Sequence, residues 1–522
     1  MSTSPSSVET RKPHAEPVDP QHGKGKGLGV TNAHWSRWSA LLVVGVLLTT
    51  TCNHLLGEKI RVANGLGWDG QSYGAWAADF PAHASKGFNQ YYTGRILPSA
   101  VVYSALGLLG LDRTVEEIIH AFGVLNIVCL TVSAWIWTLT ARHLGLGLGG
   151  LALGSIGLFV NFFVLKWSPY YPVLTDVPTY LVGFLTLHSY LTARTWTLLA
   201  TTVLSSFLWP TAWYLGGLLL LFPRERTTDS DAPAKSPLLP AAVALVPTLV
   251  LLGTIVYLVK TGWIIPNDVT QPLRPTLVPS TAITLVCAFL AFFTILNNRK
   301  LFDVAYYLRR LQSSHFYLVL GTLAAIKIVQ ALISVEAPSV ANETRHFFVL
   351  AMTSVARPAA FLVSHALFFG PIVLLVLLVW RPTVRLIHNH GVGLTLATAF
   401  GVLIAFGAES RDLVNILPVV VPFAVLASGS LPRRAGFVWA FLFVALVFSK
   451  FWLRINVSPD PDAWPTRLFW SNGPWISNNA FFVQAVVVFL WGLILWLNVR
   501  SGLSGDETYS RAMTAPPAGQ RV

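Results

Sequence analysis

The sequence predicts an all-α integral membrane protein with about 12–14 transmembrane helices and a long first extracytoplasmic loop. Composition is the first reason. Of 522 residues, 54% are hydrophobic and only 11% charged, whereas about a quarter of a soluble domain is charged. The second is the recurrence of apolar runs long enough to cross a hydrocarbon core about 30 Å thick. The third is charge placement. The chain carries 36 Lys and Arg against 23 Asp and Glu, and threading the runs alternately puts nearly all of this excess on one side. The composition excludes a disordered chain and a cytosolic enzyme, and the positive-inside pattern accounts for the basic balance with no nucleic-acid partner.

Residues 1–37 are polar, rich in Pro, Ser, Gly and Lys, and read as a disordered cytoplasmic tail. The run from Trp38 to Leu56 follows Arg37 and reads as an uncleaved anchor, because so long a polar leader does not suit a removed signal peptide. Further spans are predicted at 117–139, 149–166, 177–193, 239–259, 281–297, 316–334, 359–380, 391–407, 413–430, 436–453 and 480–498. Residues 38–498 therefore form a polytopic membrane domain, and 499–522 a second disordered cytoplasmic tail. Pro210 interrupts residues 196–222, and each half reaches only about 18–21 Å as a helix. A pair of short helices that enters and returns is expected there. Residues 95–111 are expected as an interfacial or half-inserted helix within the first outer loop, 57–116. With both termini inside, Arg142, Arg194, Arg224, Arg299, Arg309, Arg381, Arg385, Arg433 and Arg434 fall on the cytoplasmic side, as expected for a plasma (inner) membrane protein. Cys52, Cys129 and Cys287 sit singly in apolar stretches, so neither a disulfide framework nor a zinc site is indicated.

The densest polar and aromatic cluster lies in loop 57–116: Gly67-Trp68-Asp69-Gly70-Gln71-Ser72-Tyr73, then Asp79, then Gln90-Tyr91-Tyr92-Thr93-Gly94-Arg95. Glycines beside a carboxylate permit close backbone approach, and Tyr and Trp offer platforms for sugar rings or for the membrane interface. The second outer loop ends in Leu174-Thr175-Asp176-Val177-Pro178, which puts Asp176 at the mouth of a span.

An inner N-terminus, one span and a long first outer loop with an early Asp resemble the class-C (GT-C) membrane glycosyltransferases. So do the Arg-x-Leu-Pro segment at Arg95–Pro98, the Thr140–Gly145 span end and the Leu-Thr-Asp loop. The protein O-mannosyltransferases and the lipid A aminoarabinose transferases belong to that superfamily, and the likeness covers residues 38–222. It implies an inverting glycosyltransferase that moves a sugar from a polyprenyl-phosphate donor to a glycan, lipid or protein acceptor at the outer face. By that resemblance Asp69 matches the general base. The bland reading is an Asp that caps a turn. Asp69 is followed by Gly and not by a second acid, so no paired-carboxylate metal site is indicated and the cofactor stays unknown.

Gln71, Tyr73 and Tyr92 join the substrate-binding candidates through this loop. Asp176 suits acceptor binding, the positioning of a basic group, a metal, or a helix N-terminus ahead of Pro178. Asp79, followed by Phe-Pro, suits a second acid or a cap. Arg95, Arg345, His346 and Arg411 are candidates for a phosphate, with Glu409 in the Glu409-Ser410-Arg411-Asp412 cluster. Either outer cluster is equally readable as a salt-bridged loop. Lys327 lies within a span, where a charge costs roughly 2.5–3.5 kcal/mol at mid-membrane; function and snorkelling to the interface both account for it. A secondary transporter or lipid flippase is the alternative, with Pro210 supplying a discontinuous helix.

Overall fold

The structure is a computed structural model that describes residues 32–224, 234, 236–262, 274–335, 343–457, 471 and 473–503. It is all-helical apart from a minimal parallel pairing of Phe88–Asn89 with Ser334–Val335. In chain order, α1 is Asn32–Leu56, α2 Asp69–Ala78, α3 Phe80–Lys86, α4 Leu97–Leu109, α5 Val115–His143, α6 Leu148–Phe159, α7 Ser168–Tyr170 and α8 Asp176–Leu191. The helices α9 (Thr195–Ser205), α10 (Ala212–Leu221), α11 (Leu238–Thr261), α12 (Leu277–Leu296), α13 (Val304–Leu311) and α14 (Ser314–Ile333) follow. The chain closes with α15 (Glu343–Val355), α16 (Ala360–Phe369), α17 (Ile372–Leu378), α18 (Trp380–His388), α19 (Val392–Ala405), α20 (Leu417–Ala427), α21 (Ala435–Ser449) and α22 (Asn478–Leu503).

Among the described residues six helices are long and apolar enough to cross a membrane, or eight if each of two bent pairs is one span. The six are α1, α5, α11, α12, α14 and α22. All twelve predicted runs are helical in whole or in part, but several are short or broken. The 149–166 run bends by 50° between α6 and the turn that follows. There Asn161 donates to the Gly157 and Leu158 carbonyls and accepts from Val164 N, satisfying the groups the break exposes. The 359–380 run is interrupted at Gly370-Pro371, where Pro371 has no N–H to continue the ladder. Helix α1 begins at Asn32 and α22 runs to Leu503, so both ends of the membrane domain extend into stretches read as tails. Residues 1–31 and 504–522 lie outside the described residues.

Local sequence sets the boundaries near the site. Thr114 caps α5 by accepting from Glu117 N, with Glu116 and Glu117 in the first turn and Arg142 and His143 in the last; all four charges complement the helix dipole. Pro98 opens α4 and left-handed Gly110 ends it after only 13 residues. That is about 20 Å, shorter than a hydrocarbon core about 30 Å thick. The 196–222 segment is the expected hairpin: α9 and α10 flank Ser206–Thr211 and pack so closely that a Cβ on Gly216 would lie 2.2 Å from Thr202 Oγ1. The main core gathers α5, α6, α8, α10, α16, α17, α19 and α20. Between α12 and α16–α20 it leaves a cavity of about 1500 Å³.

Candidate functional site

Asp69 is the first residue of α2, and its position is fixed from outside that helix. Gly67 adopts φ +70°, and a Cβ there would sit 2.3 Å from the Tyr171 ring. Gly70 N donates to the Tyr171 hydroxyl at 3.1 Å. The glycines that flank Asp69 therefore admit Tyr171 from the loop before α8, which pins the carboxylate between two parts of the chain.

Two guanidiniums converge on this carboxylate. Arg95 Nη1 lies 3.9 Å and Arg411 Nη1 3.7 Å from Asp69 Oδ2, while the Tyr92 hydroxyl donates to Oδ1 at 3.4 Å. Asp69 is 28% exposed, against 6% for the Arg95 side chain and 16% for Arg411. The carboxylate is thus the accessible member of a buried cationic cradle. Arg95 comes from the single turn Thr93–Arg95, contacts the Tyr73 hydroxyl at 3.4 Å and lies 4.7 Å over Tyr91 and 4.3 Å over Trp209. Arg411 lies 5.7 Å from the same Trp209 ring, so one indole supports both cations.

Asp176 is 1% exposed at the first turn of α8. Its two oxygens accept from Arg411 Nε at 3.2 and 3.0 Å, and Oδ2 also accepts from Trp167 Nε1 at 3.1 Å. Trp167 closes a π-helical turn, Phe163–Trp167, a local widening of the helix that re-aims side chains. Of the roles open to Asp176, the geometry is that of positioning a basic group. Close packing of α8 on the start of α20 makes the pairing achievable: a Cβ on Gly183 would stand 2.4 Å from the Asn415 carbonyl oxygen.

Electrostatics follow from burial and pairing. Burial opposes the charge of Arg411, but Asp176, Asp69 and Glu409 outweigh it and keep the guanidinium protonated. Burial likewise opposes Arg95, with Tyr73, Tyr91 and Asp69 reversing the balance. Burial pushes the Tyr73 hydroxyl up, and burial with the Asp69 charge pushes Tyr92 up to about 12, so both phenols are neutral at neutral pH, Tyr73 accepting from Arg95 and Tyr92 donating to Asp69. Glu409 accepts from Trp475 Nε1 at 3.2 Å and is pushed up to about 7, chiefly by burial, with Arg411 opposing.

The buried donors Arg95 Nε, Arg411 Nη2 and Trp209 Nε1 have no hydrogen-bond partner among the described residues. Such groups are rare inside proteins and call for an acceptor. Three N–H donors beside two cations suit an anion.

The remaining sequence candidates separate from this cradle. Gln71 is exposed one turn along α2. Asp79 caps α3, accepting from Ala82 N at 3.2 Å, with Pro81 in the first turn. Lys327 lies on α14 with its ammonium 4.7 Å over Trp213; three residues on, Gln330 donates to the Ser206 carbonyl at 2.7 Å, against the α9–α10 turn that carries Trp209. Arg345 and His346 fall in the first turn of α15, and their side chains lie outside the described residues. His365 is satisfied: Nε2 lies 2.9 Å from the Ala405 carbonyl and Nδ1 3.0 Å from Ser410 Oγ, which anchors the turn bearing Arg411. Sequence reasoning missed Trp209, Trp167 and Tyr91 as parts of the site. The Trp209-Pro210 break was visible; that its indole would lie under two arginines was not. Among the described residues there is no cluster of three or more His, Cys, Asp or Glu able to hold a metal ion.

Fold and site together define an all-helical protein with several membrane-length apolar helices and a carboxylate–arginine cradle at one end of the bundle. No protein-family model, curated protein or solved structure matches the chain.

Proposed function

We propose that the chain is an inverting glycosyltransferase that moves a sugar from a polyprenyl-phosphate donor to an acceptor hydroxyl. In this reading the short and bent helices complete a bundle of about 12–14 spans, and the 57–116 loop faces the extracytoplasmic side of a plasma membrane, with both termini cytoplasmic. One observation carries the proposal: a partly exposed carboxylate held between two buried arginines whose remaining donors lack partners.

The chemistry follows from that arrangement. The donor phosphate takes the unpaired donors of Arg95 and Arg411, with Trp209 beneath both guanidiniums. Asp69 accepts the proton of the acceptor hydroxyl as its oxygen attacks the anomeric carbon on the face opposite the phosphate. The carbon–oxygen bond to phosphate breaks, the bonding pair leaves with the phosphate, and the added negative charge is met by the two cations. Asp176 acts through Arg411 by fixing its orientation. Tyr73 and Tyr92 hold Arg95 and Asp69 in register. Lys327, beside the α9–α10 turn, supports a lipid-borne phosphate at the edge of the bundle. Membrane lipid, the lipid-linked sugar and a glycan, lipid or protein acceptor are the partners this mechanism requires.

The test is a deletion strain complemented with wild type or Asp69→Asn at matched expression, its lipid-linked and envelope glycans profiled by mass spectrometry. Loss of one sugar in both the deletion and the Asp69→Asn strain is expected, with turnover lowered about 10²–10⁴-fold. A wild-type profile in Asp69→Asn removes Asp69 from the mechanism. The 50° and 99° bends favour a transporter or flippase as the second reading. Flux of a lipid or sugar across sealed vesicles without covalent change would establish it instead.

A further inference from the structure

The bundle holds a second, chemically distinct site whose lining does not include Asp69. The cavity of about 1500 Å³ between α12 and α16–α20 exceeds the roughly 300–1,000 Å³ of ordinary small-molecule pockets. Thr398, Gly401, Val402 and Ala405 of α19 form one wall, with residues between 287 and 294 of α12 contributing another. One end reaches His365, Ala405 and Leu413, against the turn that bears Arg411. At the other end α18 presents Arg381 and Arg385, spaced i and i+4 on one helical face. Most of the intervening lining is apolar.

Three features of the basic end ask for an anion. Arg381 and Arg385 are exposed, and neither is paired with an acid or a hydrogen-bond acceptor among the described residues. The Trp380 indole N–H beside them is buried without an acceptor among the described residues. His388 does not compete, because its Nε2 contacts the Ile295 carbonyl at 2.8 Å and ties α18 to α12. Leu290 of α12 and Leu377 of α17 line the cavity and are 52% and 47% exposed, which leaves the apolar interior uncovered on the side that meets lipid tails.

We propose that this cavity binds an anionic phosphate-headed diacyl lipid of the surrounding bilayer, its chains along the apolar walls and its phosphate on Arg381, Arg385 and Trp380. A long apolar volume that ends in a forked cation pair is complementary to a molecule with an anionic head and apolar chains, and to little else in a membrane. The positive-inside count puts this headgroup in the cytoplasmic leaflet, the leaflet opposite the proposed chemistry. The proposal rests on the cavity and its charges alone and stands whether or not the chain is a glycosyltransferase.

Native mass spectrometry of the full chain, delipidated and then offered phosphatidylglycerol or phosphatidylcholine, tests it. Wild type is expected to prefer the anionic lipid by about tenfold, the scale of one charge-assisted hydrogen bond. Arg381→Ala with Arg385→Ala is expected to abolish that preference while keeping the size-exclusion profile. Ala405→Trp, which obstructs the apolar end of the cavity and leaves both charges, is expected to lower binding of both lipids. Equal binding of the two lipids by wild type overturns the proposal, and that comparison needs no variant. So does displacement of phosphatidylglycerol by equimolar glycerol phosphate, which would mark an ion site without a lipid. Preference for a polyprenyl phosphate over phosphatidylglycerol overturns the diacyl assignment.

Discussion

Helices α8 and α14 are both apolar and each carries a charged candidate, but they occupy opposite kinds of surroundings. Fourteen of the 16 residues of α8 are buried, and Asp176 at its start is paired with Arg411 and Trp167. Of the 20 residues of α14 only Val319 and Ile326 are buried, and Lys327 reaches sideways over Trp213. A buried charge must be met by named partners in fixed geometry, because desolvation costs several kcal/mol per ion. A charge on an exposed face can bend to the interface and use a ring for support. The short helix therefore organises the site, while the long one supplies span and lipid contact.

The largest test of this contrast is removal of each charge. Asp176→Ala strands Arg411 in a buried position and is expected to cost about 3 kcal/mol of stability, the scale of breaking a buried pair, read as a fall in Tm in detergent. Lys327→Met is expected to change stability by no more than about 1 kcal/mol, the size of one cation–π contact. Equal losses would mean that α8 is no more tightly organised than α14.

A pair of glycines sharpens the comparison. Gly183→Ala forces a methyl against the Asn415 carbonyl at 2.4 Å and is expected to destabilise by about 1–3 kcal/mol. Gly321 of α14 has no atom within 4 Å of its would-be Cβ. Gly321→Ala should therefore stabilise by about 0.5–1 kcal/mol. Opposite signs in thermal unfolding of the two variants are the expected result.

The remaining test is a pH dependence. The Glu409 carboxyl is raised by burial to about 7 from an ordinary 4.5. The folded state therefore holds this proton more tightly than the unfolded state. Its contribution is full below about 4.5, declines as pH rises through that window, and is lost above about 7. Glu409→Gln keeps the shape and cannot ionise, so the variant is expected to gain stability relative to wild type between pH 5 and 8, at roughly constant difference above that. A difference that does not vary with pH would show that Glu409 titrates in the ordinary range.

The sequence revealed those parts of the fold that depend on near neighbours. Apolar runs located helices in all twelve expected segments, and the Pro210 break announced a pair of short helices. Asp79 followed by Phe-Pro carried its cap in its own context. Asp69 was legible as an accessible acid in an aromatic loop. Its surroundings were not, because Asp176 and Arg411 meet across 235 residues and no local pattern encodes that meeting. Nor could spacing show that the glycines beside Asp69 make room for Tyr171, or that Trp209 lies under two arginines. Breaks at Asn161 and Gly370-Pro371 escaped hydropathy for a simpler reason: an average over an apolar window registers composition and is blind to the direction of the chain.

The pairing of Asp176 with Arg411 also orders events during synthesis. The carboxylate emerges 235 residues before its guanidinium. At translation rates of 5–20 residues per second, Arg411 follows after about 12–50 seconds. Of its two side-chain partners in the folded structure, Asp176 has only the Trp167 indole through that interval. A chain that stops short of Ser410 never completes the contact. Such a fragment keeps an uncompensated charge at the mouth of α8, a molecular tag of incompleteness that quality-control proteases can read as partial unfolding.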